Sequence, residues 1–282
     1  VLTITVCRRV DEGGRRAIEE LLRAASRAKA HRALSEQKWL ELASGGELFA
    51  AVSARGSDGR LAAYAQVGRR PDGWAVEYVL GPDHEEEPQI RSELLAAATK
   101  AVSSAGGGAV RLWIAKPAAE DDEAALAGGF ALWRDIYQMR RPLPFEGERS
   151  AIATRPFRPG ADEKEWLAVN NRAFSGHPEQ GTWTLGDLAE REREPWFDPS
   201  GFLIAEMDGS IAGFCWTKIQ DDYAGDGQIG EIYVIAVDPH FQHKGLGRHL
   251  VVAGLEHMEG QGLSKAMLYV DGENRGARQL YR

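Results

Sequence analysis

A single carboxylate, Glu231, interrupts an otherwise apolar run that leads into a glycine loop: EIYVIAVDPHFQHKGLGRHLV, from Glu231 to Val251. A carboxylate inside such a run costs free energy unless it is paired or functional. Burial raises its pKa, which suits a general base working near neutral pH. A salt-bridged glutamate at an exposed strand end is the bland alternative. Strand alternation places Glu231, Tyr233, Ile235 and Val237 on one side. Between this strand and a helix lie Gln242, His243, Lys244, Gly245, Leu246 and Gly247, and the helix carries Leu250, Val251, Gly254, Leu255 and Met258 on one apolar face. Glycine lets backbone approach a ligand closely, and the first N–H groups of a helix have no partner inside it. With the macrodipole, such a site suits a phosphate or pyrophosphate. The glycines alone are equally consistent with a plain turn. A P-loop would need Lys-Ser/Thr after Gly247. A dinucleotide fingerprint would need a small residue where Leu250 stands, and a surrounding βαβ repeat.

The elements that must position these residues occur twice. Asp58-Gly59 and Asp208-Gly209 each join two apolar runs, a strong hairpin signal. A further strand follows in each half, Trp74–Asp83 and Gly230–Pro239, with Tyr78-Val79 aligned on Tyr233-Val234 and Asp83 on Asp238. Helix, strand and helix come next: 90–103, 109–115 and 120–127 in the first half, 245–259, 265–270 and 274–281 in the second. The expectation is an α/β chain of two tandem domains, each a mixed, mostly antiparallel twisted sheet flanked by helices. The Pro- and charge-rich stretch RRPLPFEGERS marks the join. The expected division is 1–141, a linker at 142–150, and 151–282.

Composition sets the outer limits. The chain has 282 residues, 43% hydrophobic and 27% charged, with a net charge of −8. It has no basic run for a nucleic acid and no apolar run of membrane-spanning length. Cys7 and Cys215 are far apart and match no metal-ligand spacing, and neither His177 nor His243 has partners at such spacing. No metal, no membrane and no nucleic acid are expected. A cytoplasmic monomer acting on a small molecule is expected. The chain begins with Val, so this residue is not expected to be the start-codon product.

Gln-x-x-Gly-x-Gly directly after a strand ending Val-Asp-Pro resembles the acetyl-CoA motif of the GCN5-related N-acetyltransferase (GNAT) family. In that family the loop amides cradle the CoA pyrophosphate, and the preceding strand end pairs with the pantetheine arm. The resemblance implies Ile235, Ala236 and Val237 for the arm, and Gln242, His243, Lys244, Gly245, Leu246, Gly247 and Arg248 for the pyrophosphate. ENRGARQLYR at Glu273–Arg282 is similar to the family's later segment. It implies Asn274, Arg275, Gly276, Ala277, Arg278 and Gln279 as further cofactor contacts, with Tyr281 near the CoA sulfur.

A narrower resemblance rests on VNNRAFSGHPEQGTW (169–183), EPWFDPSG (194–201), WTK (216–218), GEIYVIAVDP (230–239), LYVDGEN (268–274) and QMRRPLP (138–144). Together they resemble the mycothiol-forming tandem acetyltransferases of actinobacteria. The match runs from Gln138 to Tyr281; the first half matches in layout. It implies acetylation of a cysteinyl amine on a cysteine–glucosamine–inositol conjugate, desacetylmycothiol, with acetyl-CoA as co-substrate. Glu231 would take a proton from the amine, and Tyr281 would give one to the CoA thiolate. Glu36, Glu179, Lys218, Glu231 and Tyr269 would contact the substrate. Each has a plainer reading: Glu179 in a polar turn, Lys218 at a solvated strand end, Tyr269 in a strand core, Glu36 in a capped helix start. A backbone N–H near Val237 would stabilise the oxyanion.

The first half departs from the pattern. Opposite Phe241–Gly247 it reads Glu86 to Ser92, without either glycine, and Glu85, Glu86 and Glu87 would repel a pyrophosphate. Val76 aligns with Glu231. A non-catalytic first domain is therefore expected. The family continues beyond Tyr281 with a further strand, so truncation at the C-terminus is expected. Two other readings stay open: acetylation of another amine, such as an aminoglycoside or a protein N-terminus, and CoA binding without turnover.

Overall fold

The computed structural model describes residues 2–44, 49–70, 73–177, 180–221 and 227–281. It divides into two compact units, one running to Trp133 and the other starting at Arg134. In the first unit the elements are β1 (Thr3–Cys7), α1 (Glu12–Lys29), α2 (Glu36–Ala43), β2 (Ala50–Arg55), β3 (Leu61–Arg70), β4 (Gly73–Leu80), α3 (Pro88–Ser104), β5 (Val110–Trp113) and α4 (Ala119–Ala127). The five strands lie in the order β1-β2-β3-β4-β5, antiparallel except for the β4–β5 pair.

The second unit holds β6 (Ile136–Pro142), β7 (Arg155–Pro156), α5 (Glu163–Ala173), α6 (Leu185–Glu192), β8 (Phe202–Met207), β9 (Ser210–Gln220), β10 (Ile229–Val237), α7 (Leu246–Gly260), β11 (Lys265–Asp271) and α8 (Arg275–Leu280). Its sheet order is β6-β11-β10-β9-β8-β7, with β10–β11 the parallel pair. The expected boundary after Arg141 falls inside β6, which pairs with β11 from Ile136 to Pro142. The unit boundary therefore lies earlier, at Trp133. As an edge strand β6 leaves Ile136, Tyr137 and Arg140 exposed, so its sequence shows no apolar periodicity.

Each sheet is covered on both faces. In the second unit α7 lies on one face, with Leu250, Leu255 and Met258 against Cys215 and Ile232. Close approach there needs glycine: a Cβ on Gly254 would come within 2.6 Å of Cys215 Sγ, and one on Gly230 within 2.1 Å of Met258 Sδ. The other face carries α5 and α6, with Trp166 and Leu188 against Phe202, Phe214, Trp216 and Val234. Trp166 meets Phe202, Phe214 and Trp216 edge-on. Truncating a buried Trp of this kind typically costs about 3–5 kcal/mol.

One irregularity decides the geometry of the site. Ile232 pairs with Thr217 and Val234 with Trp216, so Tyr233 is an extra residue, a β-bulge. It resets the alternation. Glu231, Tyr233 and Val234 lie on the α5/α6 face, whereas Ile232, Ile235 and Val237 join the α7 core. The expectation that Glu231, Ile235 and Val237 share a side is corrected by this one residue. The bulge also corrects the match between the halves. Val79 pairs with Tyr64 as Val234 pairs with Trp216, but β3 and β4 pair without a shift there. The acid that stands opposite Gln66, as Glu231 stands opposite Lys218, is Glu77. Val76 instead faces α3 in the first core.

Candidate active site

Beyond the bulge, β10 and β11 part. Their pairing covers Gly230 to Ile232 against Ala266 to Leu268, while β10 stays paired with β9 as far as Val237. The β11-side edge of Ile235, Ala236 and Val237 is thus positioned to pair with an extended ligand. The strand end feeds a turn held by Asp238, which is 2% exposed. Its carboxylate accepts from Arg172 Nη2 at 2.5 Å and Nε at 3.1 Å, and from His240 N at 3.0 Å and Nδ1 at 2.7 Å. Burial pushes the Asp238 carboxyl up, but the bonds from His240 and Arg172 outweigh it and leave its pKa lowered.

The loop continues through exposed Gln242, His243 and Lys244 to Gly245, whose φ of 78° lies in the left-handed region that favours glycine. Gly245 is the N-cap of α7, and no side chain caps that end. Gly247 faces Leu280 and Val237: a Cβ there would lie 3.5 and 3.7 Å from their side chains. The strand end, the helix start and α8 therefore converge. Buried Leu246 anchors the turn in the core, and Arg248 is exposed. Asn274 caps α8, its Oδ1 accepting from Ala277 N at 3.0 Å. Arg275, Gly276 and Gln279 are exposed, and Arg278 donates to the Gly272 carbonyl at 2.8 Å. Uncapped amides, a glycine cradle and an open strand edge together fit an extended ligand ending in phosphates.

Glu231 is 7% exposed and directly opposite Lys218, itself 3% exposed. Lys218 Nζ lies 4.0 Å from the Trp196 ring centre and 5.3 Å from that of Tyr233. Tyr233 Oη accepts from Arg191 Nε at 2.8 Å. Gln220 Nε2 donates to Glu231 Oε2. Tyr269, 38% exposed, accepts from Gln138 Nε2 at 2.8 Å on the same sheet face. Tyr281 lies against the α7-side core. Burial, with a smaller contribution from Cys215, pushes its hydroxyl up to about 12, so it stays protonated at neutral pH.

The structure thus gathers Glu231, Lys218 and Tyr269 on one sheet face and the loop residues with Tyr281 beside α7. Glu36 is the first residue of α2, in the first unit, half-buried. Glu179 lies outside the described residues. Sequence reasoning did not single out Gln220, Trp196 or the Arg172–Asp238 pair. Gln220 was findable, being two residues beyond Lys218 and therefore on its face.

Among the described residues there is no cluster of three His, Cys, Asp or Glu side chains able to hold a metal, and no helix long and apolar enough to cross a membrane.

Two tandem units, a splayed parallel pair and an uncapped glycine turn define an acetyltransferase of the GNAT class. The acetyltransferase (GNAT) family model matches residues 164–282. The chain is 43% identical to the mycothiol acetyltransferase of Thermobispora bispora, over 99% of this chain and 95% of that one. It is 39% identical to that of Streptomyces coelicolor, over 94% and 85%. Among solved structures, a GCN5-related N-acetyltransferase from Sphaerobacter thermophilus superposes with a TM-score of 0.74 at 23% identity, covering 99% of this chain and 90% of that one. A tandem GNAT protein from the clavulanic acid pathway gives 0.67 at 12% identity, covering 100% and 94%. This chain belongs to the mycothiol acetyltransferase family.

Proposed function

We propose that this N-acetyltransferase acetylates the cysteinyl amine of desacetylmycothiol, with acetyl-CoA as acetyl donor and no metal. The observation that carries the reading is the position of Glu231, buried on the α5/α6 face where β10 and β11 part. The relatives named for mycothiol support the substrate. Acetyl-CoA supplies an activated acyl group and a thiolate leaving group. The amides from Gly245 to Arg248 would hold its phosphates, with Gln242, His243 and Lys244 lining the approach. Backbone at Ile235, Ala236 and Val237 would hold its arm, and Asn274 to Gln279 would flank it.

The chain's own residues do the rest. Lys218 and Tyr269 orient the amine on the sheet face, and close orientation supplies much of the rate. Glu231 accepts the proton that the nitrogen loses as its bond to the acetyl carbon forms. Tyr281 Oη donates a proton to the sulfur as the carbon–sulfur bond breaks. Incubation of the protein with acetyl-CoA and candidate amines, read by mass spectrometry, tests the reading. Acetylated desacetylmycothiol is the expected product. Acetylation of an aminoglycoside or a peptide N-terminus instead, or tight CoA binding without transfer to any amine, would overturn it.

A further inference from the structure

Glu231 does not meet only charged neighbours. Gln220, the last residue of β9, is as buried as the carboxylate it touches, each 7% exposed. In the β9–β10 register Lys218 stands opposite Glu231 and Gln220 opposite Ile229. Gln220 therefore reaches Glu231 along the diagonal of the same face, a separation that long side chains span. Its amide Nε2 donates to Glu231 Oε2.

We propose that Gln220 is a positioning residue for the reaction: its amide fixes the orientation of the Glu231 carboxylate and sets the pH above which that carboxylate can accept the amine's proton. The inference rests on the reading of Glu231 as the base. A hydrogen bond donated to a carboxylate favours the charged form, and burial opposes it. Among the described residues, the charged and titratable groups that strand alternation puts on this face include Lys218 on β9, Tyr233 on β10, Lys265, Tyr269 and Asp271 on β11, and Arg140 on β6; Arg191 of α6 reaches Tyr233 Oη, and Asp271 pairs with Arg134 at 3.4 Å. The cations also favour the carboxylate, but a fixed donor defines a direction, which a charge at a distance does not.

The first unit provides the contrast. Gly68 stands where Gln220 stands in the second sheet, opposite Ala75 as Gln220 is opposite Ile229. It has no side chain to offer Glu77. Instead Glu77 accepts from Ser35 N at 2.7 Å and Ser35 Oγ at 2.5 Å, at the start of α2. The acid stands there as an anchor for a helix, and among the described residues the amide partner belongs to the second unit.

The test is the pH profile of kcat/KM for the amine, with the full chain at saturating acetyl-CoA. Gln220→Met keeps length and volume but removes the donor; Gln220→Glu adds a like charge. The substrate's own titration is common to every variant, so differences between profiles report the enzyme. The acid limb is expected to move up by about one to two pH units in the Met variant, further in the Glu variant, with activity recovering at high pH and KM for acetyl-CoA unchanged. Gln220→Asn, which shortens the reach, should shift it in the same direction and serves if the Met variant fails to fold. An unmoved acid limb, or an equal loss at every pH, would overturn the proposal. Glu231→Gln separates the two failures. If that variant is inactive near neutral pH while the Gln220 profiles do not move, only the role of Gln220 falls. If it keeps near-normal activity across the range, the base assignment falls and the proposal with it.

Discussion

Glu231 and Tyr281 lie on opposite faces of the second sheet, one with Lys218 beneath α5 and α6, the other against the α7 core. Between them β11 leaves β10. An amine held on one face and a thioester arm held on the other would meet at that opening. With the roles proposed above, the two residues would act on different partners at different ends of the reaction, and their variants should be separable.

Glu231→Gln keeps shape and hydrogen-bonding reach but removes basicity. General-base help is typically worth about 10²–10⁴ in rate, so kcat at neutral pH should fall by a factor in that range. The deficit should shrink as pH rises, because the amine then loses its proton to solvent. KM for acetyl-CoA should hardly change. A near-normal kcat at neutral pH would mark Glu231 as structural.

Tyr281→Phe should cost less. A thiolate of ordinary pKa near 8.5 needs only modest acid help, so the loss in kcat should stay below about 10². Burial holds the hydroxyl at about 12, so the wild-type kcat profile should show no alkaline limb from Tyr281 below pH of about 10. An alkaline limb that vanishes in the Phe variant would show the hydroxyl titrating lower.

Lys218→Met should act on the amine alone. Loss of a charged hydrogen-bond donor to substrate corresponds to a rise of roughly ten- to a hundredfold in KM for the amine. The residue is fixed by the Trp196 ring at 4.0 Å, away from the glycine loop in the sequence. A rise confined to KM for acetyl-CoA would place Lys218 on the wrong ligand.

Asp238→Ala should loosen the turn into the glycine loop and raise KM for acetyl-CoA more than KM for the amine. The linkage has a definite sign. The folded carboxyl lies below its ordinary 3.8, so its contribution to stability is present above that value and is lost as pH falls through the lower folded one. Tightness for CoA should therefore hold down to pH of about 4, and the pH dependence of that step should disappear in the Ala variant. Equal weakening for both substrates would point to a general loss of stability.

Most of this architecture was legible because periodicity and turn chemistry are local. The paired hairpins, the third strand and α7 follow from Asp-Gly turns and the spacing of Leu250, Leu255 and Met258. The glycine loop was legible for the same reason: Gly245 adopts the positive φ that its residue type permits. What alternation could not reveal was the extra residue at Tyr233. A bulge leaves no mark on composition, yet it turns Ile235 and Val237 away from Glu231 and replaces Val76 by Glu77 as its counterpart. The edge strand β6 was hidden differently. Its pairing with β11 is a long-range contact, and its last residues, from Arg140 on, read as the start of the Pro- and charge-rich join.

The stoichiometry of cofactor binding should be one acetyl-CoA per chain. In the first unit Pro88 opens α3 and has no N–H to offer, and Glu85 and Glu87 precede it. Glu85 already bonds Lys29 at 3.1 Å and Arg91 at 3.3 Å, and Glu87 bonds His84 at 2.8 Å. Arg91, where the second unit has Leu246, is fully buried and donates to Asp121 at 2.7 Å, which also accepts from Tyr78 Oη at 2.6 Å. This network ties β4, α3 and α4 together across the place that the strand end and helix start leave for a ligand in the second unit. Its charges are committed to each other, and breaking such a buried pair costs about 3–5 kcal/mol, more than a weakly held phosphate would return. Calorimetric titration of the full chain should give a single site. Gly247→Glu puts a carboxylate at the start of α7, beside Leu280 and Val237, and should abolish that site while the protein still melts cooperatively. Two sites of similar affinity in the wild type, or one that survives Gly247→Glu, would show that the first unit binds the cofactor.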